Sequence, residues 1–303
     1  MMTTGTLLTL FLLPAAATLL FVSLLWVPKL NTPRMAGVIP AFAVTLGFLA
    51  GYWVVIGFPV LPPPIDAKSQ LPLVAVAALG VSLVAMRPSQ NELLKWTTHL
   101  ALSLVAIYLL ARAPIAFQWS TSESIIRVFL LAVGMTLAIE SAGSFTRRLA
   151  PRASAATLAL VAGVNAPAML FSDSLLLAQL HAALGIAVGS VCVVTWLAPK
   201  RVSLAPLSTV TMALVCALWI ICLLFASLPI LSLALMFLAL PLGIVTCQLM
   251  SASHARRRAI VSVASVFILV CASVSVAGLR YARTSVLGSP DSGDDTYGYE
   301  YDK

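Results

Sequence analysis

Residues 205–250 read APLSTVTMALVCALWIICLLFASLPILSLALMFLALPLGIVTCQLM, without one Asp, Glu, Lys or Arg. A helix needs about 20 mostly apolar residues to cross roughly 30 Å of hydrocarbon, because backbone polar groups cannot be left unpaired in lipid. This stretch is long enough for two such helices. Its one clear divider is Leu228-Pro229, since the residue before a proline is pushed away from helical geometry. Two adjacent membrane-spanning helices are the reading this run imposes.

The rest of the chain has the same character. Of 303 residues, 61% are apolar and only 9% charged, with a mean hydropathy of +1.04. A soluble domain carries about a quarter charged residues to solvate its surface. That contrast excludes a soluble enzyme, a disordered chain and a soluble nucleic-acid binder. Apolar runs bounded by charges and turn residues give ten candidate spans: 7–27, 35–58, 71–86, 97–111, 124–145, 153–171, 175–198, 205–228, 229–250 and 259–279. The third and fourth are short and need their flanks; without them the count falls to eight or nine. The expected fold is all-α, a polytopic transmembrane helix bundle forming one domain over 1–283. An acidic, disordered tail is expected over 284–303, where Asp291, Asp294, Asp295, Glu300 and Asp302 gather among Gly, Ser and Tyr.

Positive charge orients the bundle. Loops after odd-numbered spans hold Lys29, Arg34, Arg87, Lys95, Arg147, Arg148, Arg152, Lys200, Arg201, Arg256, Arg257 and Arg258, and even loops hold only Lys68, Arg112 and Arg127. Cytoplasmic loops collect Lys and Arg, so the odd loops are expected inside and both termini periplasmic, in a bacterial inner membrane. Trp26, Trp96, Trp119 and Trp196 fall near span ends, where interfacial anchors belong. The N-terminal run lacks a basic n-region and continues past Pro14, so it reads as a permanent span and not a cleaved signal. The net charge is +8, and +12 without the tail. Placed in cytoplasmic turns, that charge suits anionic lipid headgroups. No soluble basic face is available for nucleic acid.

Cys192, Cys216, Cys222, Cys247 and Cys271 lie inside spans with no CxxC pair, which reads as apolar packing and suggests no metal, disulfide framework or other cofactor. His99 and His181 could ligate a haem across a bundle, but their expected depths differ by roughly 15–20 Å at 1.5 Å per residue. His254 falls in a loop. Ser120 and Glu123 have capping-box spacing, with Arg127 placed to pair with Glu123, and Ser89 and Glu92 repeat the spacing.

Ionisable or polar groups at membrane depth are costly and therefore functional candidates. Glu140, near the cytoplasmic end of span five, is seven residues before Arg147 and on roughly the same face, so it can reach that arginine or the interface. As a function it would be a coupling carboxylate. Asp173 lies between Ser172 and Ser174, where an N-cap for span seven accounts for all three side chains. With Gln179 and His181 it marks an outer-side polar pocket. The most informative stretch is Gly163-Val164-Asn165-Ala166-Pro167. Asn165 lies about 18 Å into span six, and Pro167, lacking an N–H, frees the Gly163 carbonyl. Pro241 does the same for Phe237 in span nine. Transporters often build substrate sites from such interrupted helices. Gly47/Gly51 and Gly185/Gly189 form GxxxG pairs suited to close helix contact. They fall in spans two and seven, which would correspond if the ten helices were a 5+5 inverted repeat.

No HExxH, GxSxG, GxGxxG or Walker A pattern is present, so an enzyme is disfavoured. A lipid-modifying enzyme would require a carboxylate or histidine cluster at one interface. The loop Gly57-x-Pro59 and Pro62-Pro63-Pro64-Ile65-Asp66-Ala67 after two spans, with an acidic Tyr-containing tail, resembles the layout of a group of hypothetical bacterial multi-pass inner-membrane proteins. That resemblance implies a membrane bundle and transfers no functional residue. The size is also similar to that of small 5+5 drug/metabolite transporters, whose termini are usually cytoplasmic, opposite to the charge reading here. The reading that results is a small-solute permease, with Gly163, Asn165, Pro167 and Pro241 at the substrate and Glu140 coupling. The alternative is a non-catalytic membrane subunit that binds a protein partner through its outer loop and tail.

Overall fold

In a computed structural model of the chain, the described residues are 4–27, 32–59, 63–86, 91–249 and 255–286. They form helices and connecting turns with no strand. The helices are α1 (Thr4–Val22), α2 (Met35–Ile56), α3 (Leu71–Val84), α4 (Glu92–Leu110), α5 (Arg112–Phe117), α6 (Thr121–Arg148), α7 (Pro151–Gly163), α8 (Ala166–Leu170), α9 (Leu175–Leu197), α10 (Leu204–Phe225), α11 (Ile230–Leu249) and α12 (Ala255–Val286). Among the described residues ten spans are long and apolar enough to cross a membrane, with α7 and α8 together making the sixth. The chain is thus a multi-pass, all-α membrane bundle. The short α5 lies between the fourth and fifth spans and has no counterpart among the expected elements. His254, Ser89, residues 60–62 of the proline loop and the tail from 287 lie outside the described residues.

Local chemistry sets several of the boundaries. Ser120 Oγ accepts from the Glu123 amide at 3.3 Å and opens α6, and Glu123 pairs with Arg127 one turn on, as the capping-box spacing implies. The Arg127 guanidinium in turn sits 5.0 Å over the Trp119 ring. At the opposite end of the bundle Arg152 covers Trp196 and Arg201 covers Trp26. These pairs hold amphipathic rings at span ends, where a headgroup layer would meet them. For α4 the cap is Asn91, whose Oδ1 accepts from the Leu93 amide at 3.4 Å. Of the three oxygen-bearing residues that could cap the span-seven helix, Ser174 does so: its Oγ accepts from Leu177 N, while Asp173 adopts a left-handed backbone at φ 59°.

Gly57 closes α2 at φ 107° and ψ −172°, a region that essentially only glycine populates. A Cβ there would meet no neighbour within 4 Å, so the demand is conformational and not steric. Gly57→Val is therefore expected to cost about 1–3 kcal/mol through backbone strain alone, read as a lowered unfolding midpoint. An unchanged midpoint would mean that the turn readily relaxes.

The packing is inside-out relative to a soluble protein. Leu12, Leu20, Ile125, Leu130, Ile268 and Leu279 are among many exposed apolar side chains, a surface suited to lipid. At the centre lies α10, 89% buried along its span against 22% for the last span. It packs on α2, α3, α4, α6, α7 and α9. Some helix pairings come in equivalent sets, first span with second and sixth with seventh, fourth with fifth and ninth with tenth, second with seventh, and third with eighth, while the fifth with eighth and the first with seventh have no comparable counterpart among the described residues. Two inverted groups of five would produce these sets. The equivalence is incomplete, since the eighth span is far more enclosed than the third, which is 44% buried.

The glycine pairs hold the middle of this arrangement. A Cβ on Gly47 would meet Thr18 Oγ1, Ala187 Cβ and the Pro14 carbonyl, and one on Gly51 would meet Ala183 Cβ. The second-span GxxxG therefore seats α2 on both α1 and α9. Gly185 packs on Gly163, so α9 and α7 cross with their backbones nearly touching.

Candidate functional site

Of the five carboxylates before residue 284, only Glu140 is buried. It sits on α6, about 12 Å from the end of that helix by its rise per residue. The expected partner was Arg147, one and a half to two turns along the same helix, or the interface. Instead Glu140 faces α4. Its Oε2 accepts from Lys95 Nζ at 2.5 Å, and its Oε1 pairs with His99 Nδ1 at 2.5 Å. Arg147 bonds to Ser144 Oγ at 3.1 Å, and no carboxylate among the described residues pairs with it. The reason is depth: a buried carboxylate is satisfied best by donors that approach across the helix interface, whereas Arg147 is exposed in the last turn.

The two helices run antiparallel and share a polar seam at four-residue spacing. Below the Lys95–Glu140–His99 cluster, Thr136 Oγ1 donates to Ser103 Oγ at 3.0 Å. Lys95, His99 and Ser103 stand at i, i+4 and i+8 on α4, and Glu140 and Thr136 at i and i−4 on α6, so each set occupies one stripe. Side-chain exposure falls from 15% at Lys95 to 2% at His99. The seam leads inward from the end of the bundle that carries the basic loops.

That end opens as a cavity of about 360 Å³, with α3 giving Ser82, α4 giving Glu92, Lys95 and His99, α6 giving Arg147, and the start of α10 giving Thr209. The buried Nε2 of His99 has no protein partner. An imidazole with Nδ1 held by a carboxylate and Nε2 unengaged can accept and return a proton, as a relay or as a general base. This is the carboxylate–histidine juxtaposition a lipid-modifying enzyme would also need.

A second cavity, about 640 Å³, lies at the far end of α10. Asp66, Lys68, Ser172, Asp173 and Ser227 give it a polar rim over Leu177, Ile221, Leu224 and Phe225. Asp66 and Lys68 form an ion pair at 3.8 Å, and Ser227 Oγ donates to Asp173 Oδ2 at 3.5 Å. His181 and Gln179 do not line it. His181 is fully buried with Nδ1 donating to the Ala162 carbonyl at 2.6 Å, and Gln179 is half-buried on α9. The histidines thus have separate partners, His99 on α6 and His181 on α7.

Between the two ends the sixth span breaks. Helix α7 stops at Gly163 and α8 starts at Ala166, leaving Val164 and Asn165 between them. Asn165 is fully buried. Its Nδ2 donates to the Val161 carbonyl at 2.9 Å, and its Oδ1 has no protein partner, nor has His181 Nε2. Gly163 packs against Gly185. Pro241, by contrast, sits in a helix that continues unbroken from Ile230 to Leu249. Helix α11 packs chiefly on α12 and α6, and α7 chiefly on α9, so Pro241 and Asn165 belong to different neighbourhoods. Neither cavity is lined by Gly163, Asn165, Pro167 or Pro241.

The sequence reading does not join Lys95 and His99 to Glu140. The i, i+4, i+8 stripe on α4 was the available signal. Compared with known proteins, the chain matches no family model, no curated protein and no solved structure.

Proposed function

We propose that the chain is a permease that moves a small solute across a bacterial inner membrane, with the basic loops and the smaller cavity in the cytoplasm and both termini in the periplasm. The observation that carries this reading is the pair of cavities at opposite ends of the enclosed helix α10, with Glu140, the only buried carboxylate among the described residues, at the head of one of them. A static scaffold has no use for a lone ion cluster at membrane depth, because such groups are costly there and tend to mark ion or substrate pathways.

In this reading the break in the sixth span is where solute meets the protein. Asn165 offers an unpartnered oxygen, and Gly163 contributes a carbonyl that Pro167 strips of its helical donor. Glu140 is the coupling carboxylate. Asp173, on the polar rim of the larger cavity, belongs to the periplasmic entry. The part of the helix pairing that follows an inverted-repeat pattern supports the assignment, since transporters with inverted repeats place their sites at discontinuous helices near the repeat interface.

The test is thermal unfolding of the purified chain across a library of small solutes and ions. A solute that binds only the folded state, at a hundred times its dissociation constant, adds about 2.7 kcal/mol of stability. The expected result is a selective solute hit that Asn165→Leu abolishes while the variant still folds and reaches the membrane. A well-folded protein that no solute stabilises would sink the permease reading. A hit unchanged in Asn165→Leu would remove that residue from the site.

A further inference from the structure

We infer that the ion taken up at the coupling site is the proton, and that His99 carries it between the cytoplasmic cavity and Glu140. The inference rests on the permease reading for its use, but the proton site itself stands on the geometry of the seam.

Three observations point the same way. Both Glu140 oxygens are already held by N–H donors, and one donor is the Lys95 ammonium at 2.5 Å, which would repel any metal cation approaching that carboxylate. Among the described residues no group of three or more His, Cys, Asp or Glu is placed to hold a metal ion. And His99, 2% exposed, lines the cavity while its buried Nε2 lacks a protein partner. A hydrogen-bonding group so deeply buried calls for a partner, and in a polar cavity that partner is water or a proton.

The transfer balances without any further reactant. A hydronium in the cavity gives its proton to His99 Nε2 and leaves as water, making an imidazolium. The Nδ1 proton then passes to Glu140 Oε1, leaving a neutral carboxylic acid and a neutral imidazole protonated at Nε2. Lys95 loses its counter-ion at that moment, so the ionic tether between α4 and α6 weakens when the proton arrives and re-forms when it departs. That is a direct way for a proton to bias helix packing. The charged groups facing the pair are few. Its own helix contributes Glu92 and Lys95, and α6 contributes Arg147. From α3 and α10 come Ser82 and Thr209, which do not titrate. Lys68 and Arg112 lie at the other end of α4.

The chain has only three histidines, so ¹⁵N-histidine labelling of the full protein in lipid nanodiscs resolves them, with His99→Gln and His181→Gln assigning the signals. His99 is expected to show the Nδ1–H tautomer when neutral, with that proton held by the Glu140 carboxylate. Glu140→Gln should abolish the dominance of that tautomer. Should this variant not fold, Lys95→Gln provides the second arm, in which the tautomer is kept. The opposite tautomer, Nε2–H, at His99 overturns the proposal. The two readings fail separately. The Nδ1–H tautomer at His99 in a protein that no solute stabilises keeps the proton site and removes transport. A solute whose stabilisation is the same in His99→Gln as in the unmodified protein keeps transport and removes the proton as its coupling ion.

Discussion

Replacing Glu140 by leucine is expected to destabilise the protein by about 3 kcal/mol, visible as a fall of several degrees in its unfolding midpoint. Removing one member of a buried ion pair typically costs about 3–5 kcal/mol, because the partner keeps its charge and loses its compensation. The lower figure applies here. Lys95 is 15% exposed and already within 3.9 Å of Glu92, so its ammonium can swing toward that carboxylate and the cavity mouth. His99 has no such escape: with Nε2 already unpartnered, it would lose its remaining bond, and an unsatisfied buried group costs about 1–3 kcal/mol. The informative comparison is the variant that carries Lys95→Met, His99→Leu and Glu140→Leu together. Replacing a whole buried cluster by apolar groups of similar volume is often neutral or stabilising. Stability near the unmodified level in the triple variant, beside a costly single one, would show that the cluster is retained for what it does and not for holding α4 to α6. A Glu140→Leu protein that unfolds at the normal temperature would mean that the cluster is not formed in the bilayer.

The spans were legible because lipid imposes one simple rule on composition, and the run 205–250 obeys it without exception. The fourth span shows where that rule misleads. Ending helices at charged residues starts it at 97, whereas α4 begins at Glu92, behind the Asn91 cap. The charge on Lys95 is neutralised by Glu140 from another helix, so it need not mark a membrane boundary. Trimming those five residues placed Lys95 in a loop and hid its four-residue register with His99 and Ser103. Sequence shows what can share a face of one helix; which helix lies opposite is decided by packing that leaves no mark in a single chain. Asp173 illustrates the local version of the same limit. Three consecutive oxygen-bearing side chains could each cap α9, and the backbone selects Ser174 by turning Asp173 into the left-handed region.

The break in span six was legible for the opposite reason: proline removes a donor within its own helix, and no partner is needed to predict the gap. Proline alone was not sufficient, since α11 runs through Pro241 intact. What distinguishes the sixth span is the coincidence of Gly163, Asn165 and Pro167 with a close backbone crossing, which substitutes for the lost intrahelical order.

That crossing gives the second large effect. Gly185→Leu is expected to cost at least about 3 kcal/mol and to yield little folded protein, while Gly189→Ala, in the same GxxxG motif, should be neutral or gain about 0.5–1 kcal/mol. The contrast follows from what each new Cβ would touch. At Gly185 it would lie 2.7 Å from the Gly163 Cα and 3.2 Å from the Ala162 carbonyl oxygen, both backbone atoms that cannot rotate aside. At Gly189 it would meet nothing within 4 Å, so the substitution only removes the conformational entropy a mid-helix glycine loses on folding. Even Gly185→Ala must push α9 away from α7 by several tenths of an ångström, at a cost of about 1–3 kcal/mol. Because His181 reaches across this crossing to the Ala162 carbonyl, the same displacement should free its ring, and the His181 resonances should move in Gly185→Ala but not in Gly189→Ala. Equal stability of the two alanine variants would show that α7 and α9 do not cross at these glycines, and with that the placement of Asn165 beside the crossing would fall.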